Sequence, residues 1–75
     1  MRRQWYVVFM KLLINGEDKE LAPVANVAEL IAALELKGDR IAVELNRDIV
    51  TRAEWATTAV HDGDKLEIVQ FVGGG

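Results

Sequence analysis

The feature that most constrains this fold is one helical stripe placed between short extended segments. Four apolar residues recur at the 3.6-residue period of a helix: Val27, Leu30, Ile31 and Leu34. Asn26 followed by Glu29 resembles an N-cap with its capping-box partner, so a helix is predicted to begin there. Residues 37–39, Lys-Gly-Asp, are predicted to stop it. A chain of 75 residues has room for one core, so the apolar stripe must pack on a sheet.

The segments on either side of the helix predict that sheet. Residues 11–15 form a short, mainly apolar segment that ends in the strong tight-turn dipeptide Asn15-Gly16. Residues 19–22 can then return antiparallel until Pro23 ends the strand. Beyond the helix, alternation over residues 41–46 indicates a strand with one buried face.

The remaining segments are shorter. Residues 46–48 predict a turn, Ile49-Val50 a short strand, and the Thr51/Glu54 pair a capped helical turn over residues 52–55. Residues 61–64 read as another turn. Residues 65–72 then form a last strand that is apolar on both faces, as is typical of a central strand.

This order predicts an α+β fold, a mixed sheet with one main helix packed on one face. A crossover helix lets a later strand run parallel to the first, so the last strand should lie beside the first.

Composition excludes several classes of function. The net charge is −3, from 9 basic and 12 acidic residues mixed along the chain, so no basic stripe suggests nucleic acid. Cysteine is absent, which excludes disulfides, thiolate metal sites and cysteine nucleophiles. No apolar run is long enough to cross a bilayer, and we expect a cytoplasmic protein.

The two ends of the chain differ from its middle. Residues 1–9 are predicted to form an N-terminal extension, and the compact domain is predicted to span residues 10–72. Two alternatives stay open for the N-terminal segment. Tyr6 to Ile14 could form one long strand, or Trp5, Tyr6 and Phe9 could form an exposed apolar patch. Residues 73–75 are three glycines, a predicted flexible tail that can enter a channel too narrow for side chains. The alternative is that these glycines are a frayed chain end without function.

Other candidate residues are predicted to be structural. His61 neighbours Asp62 and Asp64, but a turn explains the aspartates and a metal site needs more ligands, so no metal site is predicted. Trp55 should cap the core rather than bind a partner, and Arg47 and Asp48 should lie in a solvated turn. Phe71 and Val72 lie where the last strand leaves the body, so a partner is expected to bind there.

The layout resembles the β-grasp, ubiquitin-like fold, and the sequence is similar to the ThiS family of thiamine-biosynthesis sulfur carriers. The resemblance covers residues 10–75 and rests on the order and spacing of segments 10–16, 45–46, 49–50, 52–55, 62–64 and 71–75. Residues 1–9 are not part of the family pattern.

The resemblance implies a carrier rather than an enzyme. In this family an E1-like adenylyltransferase of the ThiF type uses ATP to adenylate the terminal carboxylate, here that of Gly75. Sulfur from a cysteine desulfurase or another donor converts it to a thiocarboxylate, and a thiazole synthase of the ThiG type takes the sulfur. Gly73 and Gly74 would carry Gly75 into partner active sites, and the chain itself would bind no cofactor.

Two alternatives stay open. The first is a molybdopterin-synthase small subunit or another ubiquitin-like sulfur carrier, with nearly the same chemistry. The second is a protein modifier or plain interaction module whose tail forms isopeptide bonds or has no role.

Overall fold

The computed structural model describes residues 8–37 and 40–71. They form a five-stranded mixed sheet with one α-helix on one face. The elements in chain order are β1 (Met10–Ile14), β2 (Glu17–Leu21), α1 (Val27–Ala33), β3 (Ile41–Leu45), β4 (Asp48–Val50), a 3-10 helix (Arg52–Thr57) and β5 (Lys65–Gln70). The predicted α+β class is confirmed.

The strand order is β2-β1-β5-β3-β4, which places the last strand in the centre. Leu13 and Ile14 of β1 lie opposite Lys65 and Leu66 in a parallel pair, as expected for strands joined through a crossover helix. On its other side, β5 pairs antiparallel with β3, from Leu66 opposite Leu45 to Gln70 opposite Ile41. The first residue of β5, Lys65, accepts a hydrogen bond from the N–H of Asn46, in the turn that follows β3. The prediction that the last strand lies beside the first is therefore confirmed.

Both hairpins turn through left-handed backbone at two successive residues. Asn15 and Gly16 have φ of 51° and 80°, and Asn46 and Arg47 have φ of 49° and 75°. Paired positive φ values define the type I′ turn, whose twist matches that of the flanking strands. The predicted turn at residues 46–48 is confirmed at its first two residues, while Asp48 already belongs to β4.

Helix α1 begins as the sequence predicts. Asn26 is the N-cap, and its Oδ1 accepts the Glu29 N–H at 2.9 Å. The Glu29 Oε1 accepts in return from the N–H of Ala25, one residue before the cap, at 2.9 Å. Buried Val27, Leu30 and Ile31 face the sheet.

The predicted end of the helix is wrong. Helix α1 ends at Ala33, with Leu34 as C-cap, before residues 37–39 are reached. Glu35 takes a φ of +58°, its N–H donates to Ala32 O, and the Leu36 N–H donates to Ile31 O. This is a Schellman motif with glutamate where glycine is usual. It turns Leu36 back onto the core, which accounts for the early stop.

One hydrophobic core lies between α1, the 3-10 helix and the helix-facing side of the sheet. Its buried residues are Leu12, Ile14, Val27, Leu30, Ile31, Val43, Val50, Trp55, Val60, Leu66 and Ile68. Strand alternation accounts for this set, because every second residue of β1, β3 and β5 points to that side. The other side of the sheet is open in the described part of the chain.

Trp55 packs in the core as predicted. Only 7% of it is exposed, its Nε1–H donates to Val50 O at 3.3 Å, and the Arg52 guanidinium lies 5.2 Å from the ring centroid. The 3-10 helix that carries it is longer than the predicted turn over residues 52–55.

The start of that helix is held by its capping pair. The Glu54 Oε1 accepts from both the Thr51 hydroxyl at 2.8 Å and the Thr51 N–H at 3.1 Å. The hydroxyl and backbone bonds from Thr51 hold the pKa of Glu54 below its ordinary value of 4.5.

Strand β1 starts at Met10, and Val8 and Phe9 before it are exposed. The alternative of a single strand from Tyr6 to Ile14 is therefore wrong over Val8 and Phe9. Trp5 and Tyr6 lie outside the described residues, and the domain boundaries at 9 and 72 stay predictions. Helix α1, with seven residues, is too short to cross a membrane, and the described residues contain no other helix that could.

Candidate functional site

The predicted site lies where β5 leaves the sheet. Phe71 is the last described residue and is 58% exposed, immediately after the strand. Val72, Gly73, Gly74 and Gly75 lie outside the described residues. The structure therefore describes the surface from which the predicted tail departs.

Two long-range hydrogen bonds fix this end of β5. The Phe71 N–H donates to Arg40 O at 2.8 Å, and the Gln70 Nε2–H donates to Lys37 O at 2.8 Å. Both acceptors belong to the connection between α1 and β3. Sequence reasoning did not assign Gln70 a role, and nothing local in the sequence signals a contact across 33 residues.

The open side of the sheet carries exposed apolar residues next to this end. Val69 is 49% exposed and lies opposite Ala42, while Phe71 follows two residues later on the same side. The apolar residues on the second face of β5 are therefore exposed. Isolated exposed apolar residues are ordinary, whereas neighbouring ones are typical of surfaces that bind partners, and the partner contact at Phe71 stays a prediction.

Ile49 is a further exposed residue on that side, on the edge strand β4. It lies opposite Glu44, which itself lies opposite Glu67. Glu44 and Glu67 therefore lie between Ile49 and the pair Val69 and Phe71. An apolar partner that covered all three apolar residues would have to desolvate these two carboxylates, which is unfavourable.

The side of β5 that faces β1 is only partly paired. Strand β1 ends opposite Leu66, and the Asn15 side chain continues the pairing with both backbone groups of Ile68, its Oδ1 accepting at 2.8 Å and its Nδ2 donating at 2.9 Å. No described residue of β1 lies opposite Gln70.

The His61 region forms a turn. The Asp64 Oδ2 accepts the His61 N–H at 2.7 Å, and the Asp62 Oδ1 accepts the Lys11 N–H at 2.6 Å. Asp64 also accepts from the Asn46 side chain, which ties this turn to the second hairpin. Both aspartates thus satisfy backbone and side-chain donors, and within residues 8–37 and 40–71 no group of His, Asp and Glu has the arrangement of a metal site.

Arg47 and Asp48 are exposed at the second hairpin, as predicted. Arg47 lines a shallow cavity of about 80 Å³ with Glu44, Lys65 and Glu67. Charges of both signs alternate there, which is typical of a solvated surface.

The last strand lies in the centre of the sheet beside the first, a helix crosses over between them, and the exposed end of β5 is followed in the sequence by glycines. These features define a small β-grasp domain of the ubiquitin-like type. Solved structures agree. The chain is similar to the thiamine biosynthesis protein (ThiS) from Geobacter metallireducens in its crystal structure, with TM-score 0.74, 36% identity, and coverage of 88% of this chain and 100% of that one. The NMR solution structure of a thiamine biosynthesis protein from the same organism gives TM-score 0.75 at 36% identity, covering 88% of each chain.

The sequence comparison identifies the family. The profile of the ThiS family matches residues 12–75, and the chain belongs to that family. The sulfur carrier protein ThiS of Escherichia coli is 33% identical over 66 residues, 88% of this chain and all of that protein.

Larger proteins contain a similar segment. A thiazole synthase of Paramagnetospirillum magneticum is 47% identical over 66 residues, which are 88% of this chain and 20% of that protein. A thiazole synthase of Magnetococcus marinus is 30% identical over the same length, again 20% of its chain. The chain therefore spans about a fifth of the length of these two relatives.

Proposed function

We propose that this chain is a sulfur carrier of thiamine biosynthesis whose cargo is held at the carboxylate of Gly75. The chain is a co-substrate of its partner enzymes and catalyses no step itself. The observation that carries the proposal is that the family match runs through to Gly75, past the exposed end of β5.

The chemistry requires activation of a carboxylate. A carboxylate is a poor electrophile, because its leaving group would be an oxide. An E1-like adenylyltransferase joins the Gly75 carboxylate to AMP with release of pyrophosphate from ATP. Sulfur at the oxidation level of sulfide then displaces AMP directly, whereas the persulfide of a desulfurase displaces AMP to give an acyl disulfide, whose S–S bond a partner thiol cleaves by forming a disulfide with the donor. The product is a thiocarboxylate, so the carrier needs no cysteine of its own and has none.

The body and the tail have separate tasks in this scheme. Gly73 and Gly74 have no Cβ, so the backbone can pass through a narrow channel with Gly75 at its end. The sheet stays outside, held by the bonds from Gln70 and Phe71 to the α1–β3 connection. Phe71 and Val72 are the proposed contacts at the channel entrance, as an apolar anchor next to the reacting segment.

We propose thiazole synthase as the acceptor of the sulfur. Support comes from the two thiazole synthases that contain a segment similar to this chain, because segments joined in one polypeptide commonly act in succession. The E1-like adenylyltransferase and a cysteine desulfurase or equivalent donor complete the set of partners. ATP is consumed by the adenylyltransferase, and we place the carrier in the cytoplasm, where this enzyme finds ATP.

Genetic complementation tests the pathway. A bacterial strain that lacks its own thiamine sulfur carrier should grow without thiamine when it expresses this chain, and should not grow with the chain lacking Gly75. A strain that lacks the molybdopterin-synthase small subunit should not be rescued. Rescue of the second strain but not the first would assign the chain to the molybdopterin pathway instead.

A further inference from the structure

The end of β5 offers a backbone edge as well as an exposed side chain. Residues 67–70 of β5 extend past the last pair with β1 by about 13 Å, at the usual rise of a strand. Backbone groups of successive strand residues point to opposite sides in the plane of the sheet. Since Phe71 N–H bonds Arg40 on the β3 side, the N–H and C=O of Gln70 point to the side where β1 has ended.

The neighbouring residues confirm this direction. Leu66 O accepts from Asn15 N–H, and Ile68 exchanges two hydrogen bonds with the Asn15 side chain, so alternate residues of β5 face β1. Gln70 is the next residue in that alternation. Its backbone groups are left on an open edge in the described part of the chain.

The outer edges of the sheet are protected and this inner edge is not. Strand β2 carries Glu17, Asp18, Lys19 and Glu20 in succession, and β4 has only three residues. Charged and very short edge strands discourage pairing with other chains. The residues nearest to Gln70 in the sequence are the apolar Ile68, Val69 and Phe71. Glu67 is the one charged residue of the stretch 67–70, and it lies three residues before Gln70.

A cleft of about 340 Å³ lies beside this edge, between the end of α1 and the first hairpin. Ile14, Leu34, Leu36 and Ile68 form its apolar wall, and Lys19 lies at its rim. The Lys19 Nζ is 3.8 Å from a Glu17 carboxylate oxygen, and this side-chain ion pair is about half exposed on the lysine side. A strand placed next to Gln70 would direct alternate side chains into this cleft.

We propose that an extended segment of thiazole synthase adds as a short strand to the open edge of β5 at Gln70, with an apolar side chain in the cleft and an acidic side chain at Lys19. The identity of the partner rests on the proposed function. Strand addition takes its affinity from backbone hydrogen bonds and its specificity from pockets for alternate side chains, and both are present here. It would place the partner beside the start of the tail, because residues 72–75 follow the end of β5 and Phe71 in the sequence.

Amide hydrogen exchange tests the edge directly. In the free ¹⁵N-labelled chain, the Gln70 amide should exchange at least about tenfold faster than the amide of Val69, which faces β3, and that of Phe71, which bonds Arg40 just before β3. On addition of purified unlabelled thiazole synthase, exchange at Gln70 should slow by about tenfold or more. A Gln70 amide already protected in the free chain, or unchanged in a complex that forms, would overturn the proposal.

Two substitutions at the same position separate backbone from side chain. Gln70→Ala keeps the N–H and loses the side-chain bond to Lys37, whereas Gln70→Pro also removes the N–H on the open edge, a position where a strand tolerates proline. Gln70→Pro should bind thiazole synthase about tenfold more weakly than Gln70→Ala. Equal affinities in folded variants would overturn the proposal, and if Gln70→Pro fails to fold, the exchange experiment decides.

Further measurements distinguish other occupants. Lys19→Glu should weaken binding by about threefold to tenfold if an acidic side chain lies at the rim; unchanged affinity would overturn that part. Dimerisation of the free chain that Gln70→Pro abolishes would overturn the proposal in favour of a second copy on this edge. ATP-dependent sulfur loading of the wild-type chain is measured separately. A chain that is never loaded refutes the proposed function, whereas a chain that is loaded but whose Gln70 amide stays unprotected in the complex with thiazole synthase refutes only the edge.

Discussion

The carboxamide of Asn15 pairs with both backbone groups of Ile68, 53 residues further along the chain. Asn15 also occupies the first left-handed position of the hairpin turn, with φ of 51°. One residue therefore turns the first hairpin and extends the pairing of the central strand.

Asn15→Gly should destabilise the protein although glycine suits this backbone conformation. The change removes two partly buried hydrogen bonds, and we expect a loss of about 2 kcal/mol in the free energy of unfolding, measured by urea denaturation. Asn46→Gly is the matched control, because Asn46 has φ of 49° in the other hairpin and its side-chain bonds are exposed. It should cost less than about 1 kcal/mol, and equal losses would contradict the role assigned to the Asn15 pairing.

Glu35→Gly should stabilise the protein. Glu35 has a φ of +58° at the end of α1, a conformation in which a side chain costs about 1–2 kcal/mol and glycine costs little. After the entropy lost by glycine on folding, we expect a gain of about 1 kcal/mol, seen as a higher midpoint of thermal unfolding. Glu35→Ala removes the same charge but keeps the strain, so a comparable gain from alanine would contradict this explanation.

The helix end shows where sequence reasoning failed. Glycine is the usual stop signal of a helix, so the glycine at position 38 placed the predicted end at residues 37–39, several residues beyond the observed end at Ala33. The earlier stop arises because Leu36 packs on the core, and that packing outweighs the local cost at Glu35. A tertiary contact of this kind has no signature in the neighbouring residues.

Local and patterned features were predictable from the sequence. The Asn26 cap, the Thr51/Glu54 pair, both turns and the central place of β5 follow from capping chemistry, left-handed turn residues and apolar alternation. The pairing of Asn15 with Ile68 and of Gln70 with Lys37 was not predictable, because these residues are far apart in the sequence and approach each other only in the assembled fold. Phe71 is exposed immediately after β5, but its role and that of Val72 as partner contacts stay predictions, as do the roles of Gly73, Gly74 and Gly75.

Glu54 should contribute to the pH dependence of stability. Its hydrogen bonds from Thr51 lower its pKa in the folded state below the ordinary value of 4.5. The unfolded chain then takes up a proton first as the pH falls, so this stabilisation is complete well above pH 4.5 and is lost as the pH falls through the folded pKa. Denaturant unfolding of Glu54→Gln at pH 7 and pH 3 should show a smaller loss on acidification than the wild type, and identical losses would contradict it.

Phe71→Ser should weaken partner binding without affecting stability. Phe71 is exposed, and its backbone bond to Arg40 does not depend on the side chain, so the unfolding free energy should change by less than about 0.5 kcal/mol. Affinity for the adenylyltransferase or thiazole synthase, measured by calorimetry, should fall by about tenfold or more. Ile49→Ser is the control on the same side of the sheet, because Ile49 is 78% exposed but β3 separates its strand from β5. An equal effect there would argue against an interface centred on the tail.

The most direct test of sulfur carriage is the intact mass of the chain after incubation with ATP, an E1-like adenylyltransferase of the thiamine pathway and a sulfur donor. The account predicts a mass gain equal to replacing one oxygen by one sulfur, located at Gly75 by fragmentation, dependent on ATP, and absent from a folded chain that lacks Gly75. No gain with an enzyme that loads another ThiS carrier, or equal loading of the truncated chain, would contradict the assignment of Gly75 as the sulfur acceptor.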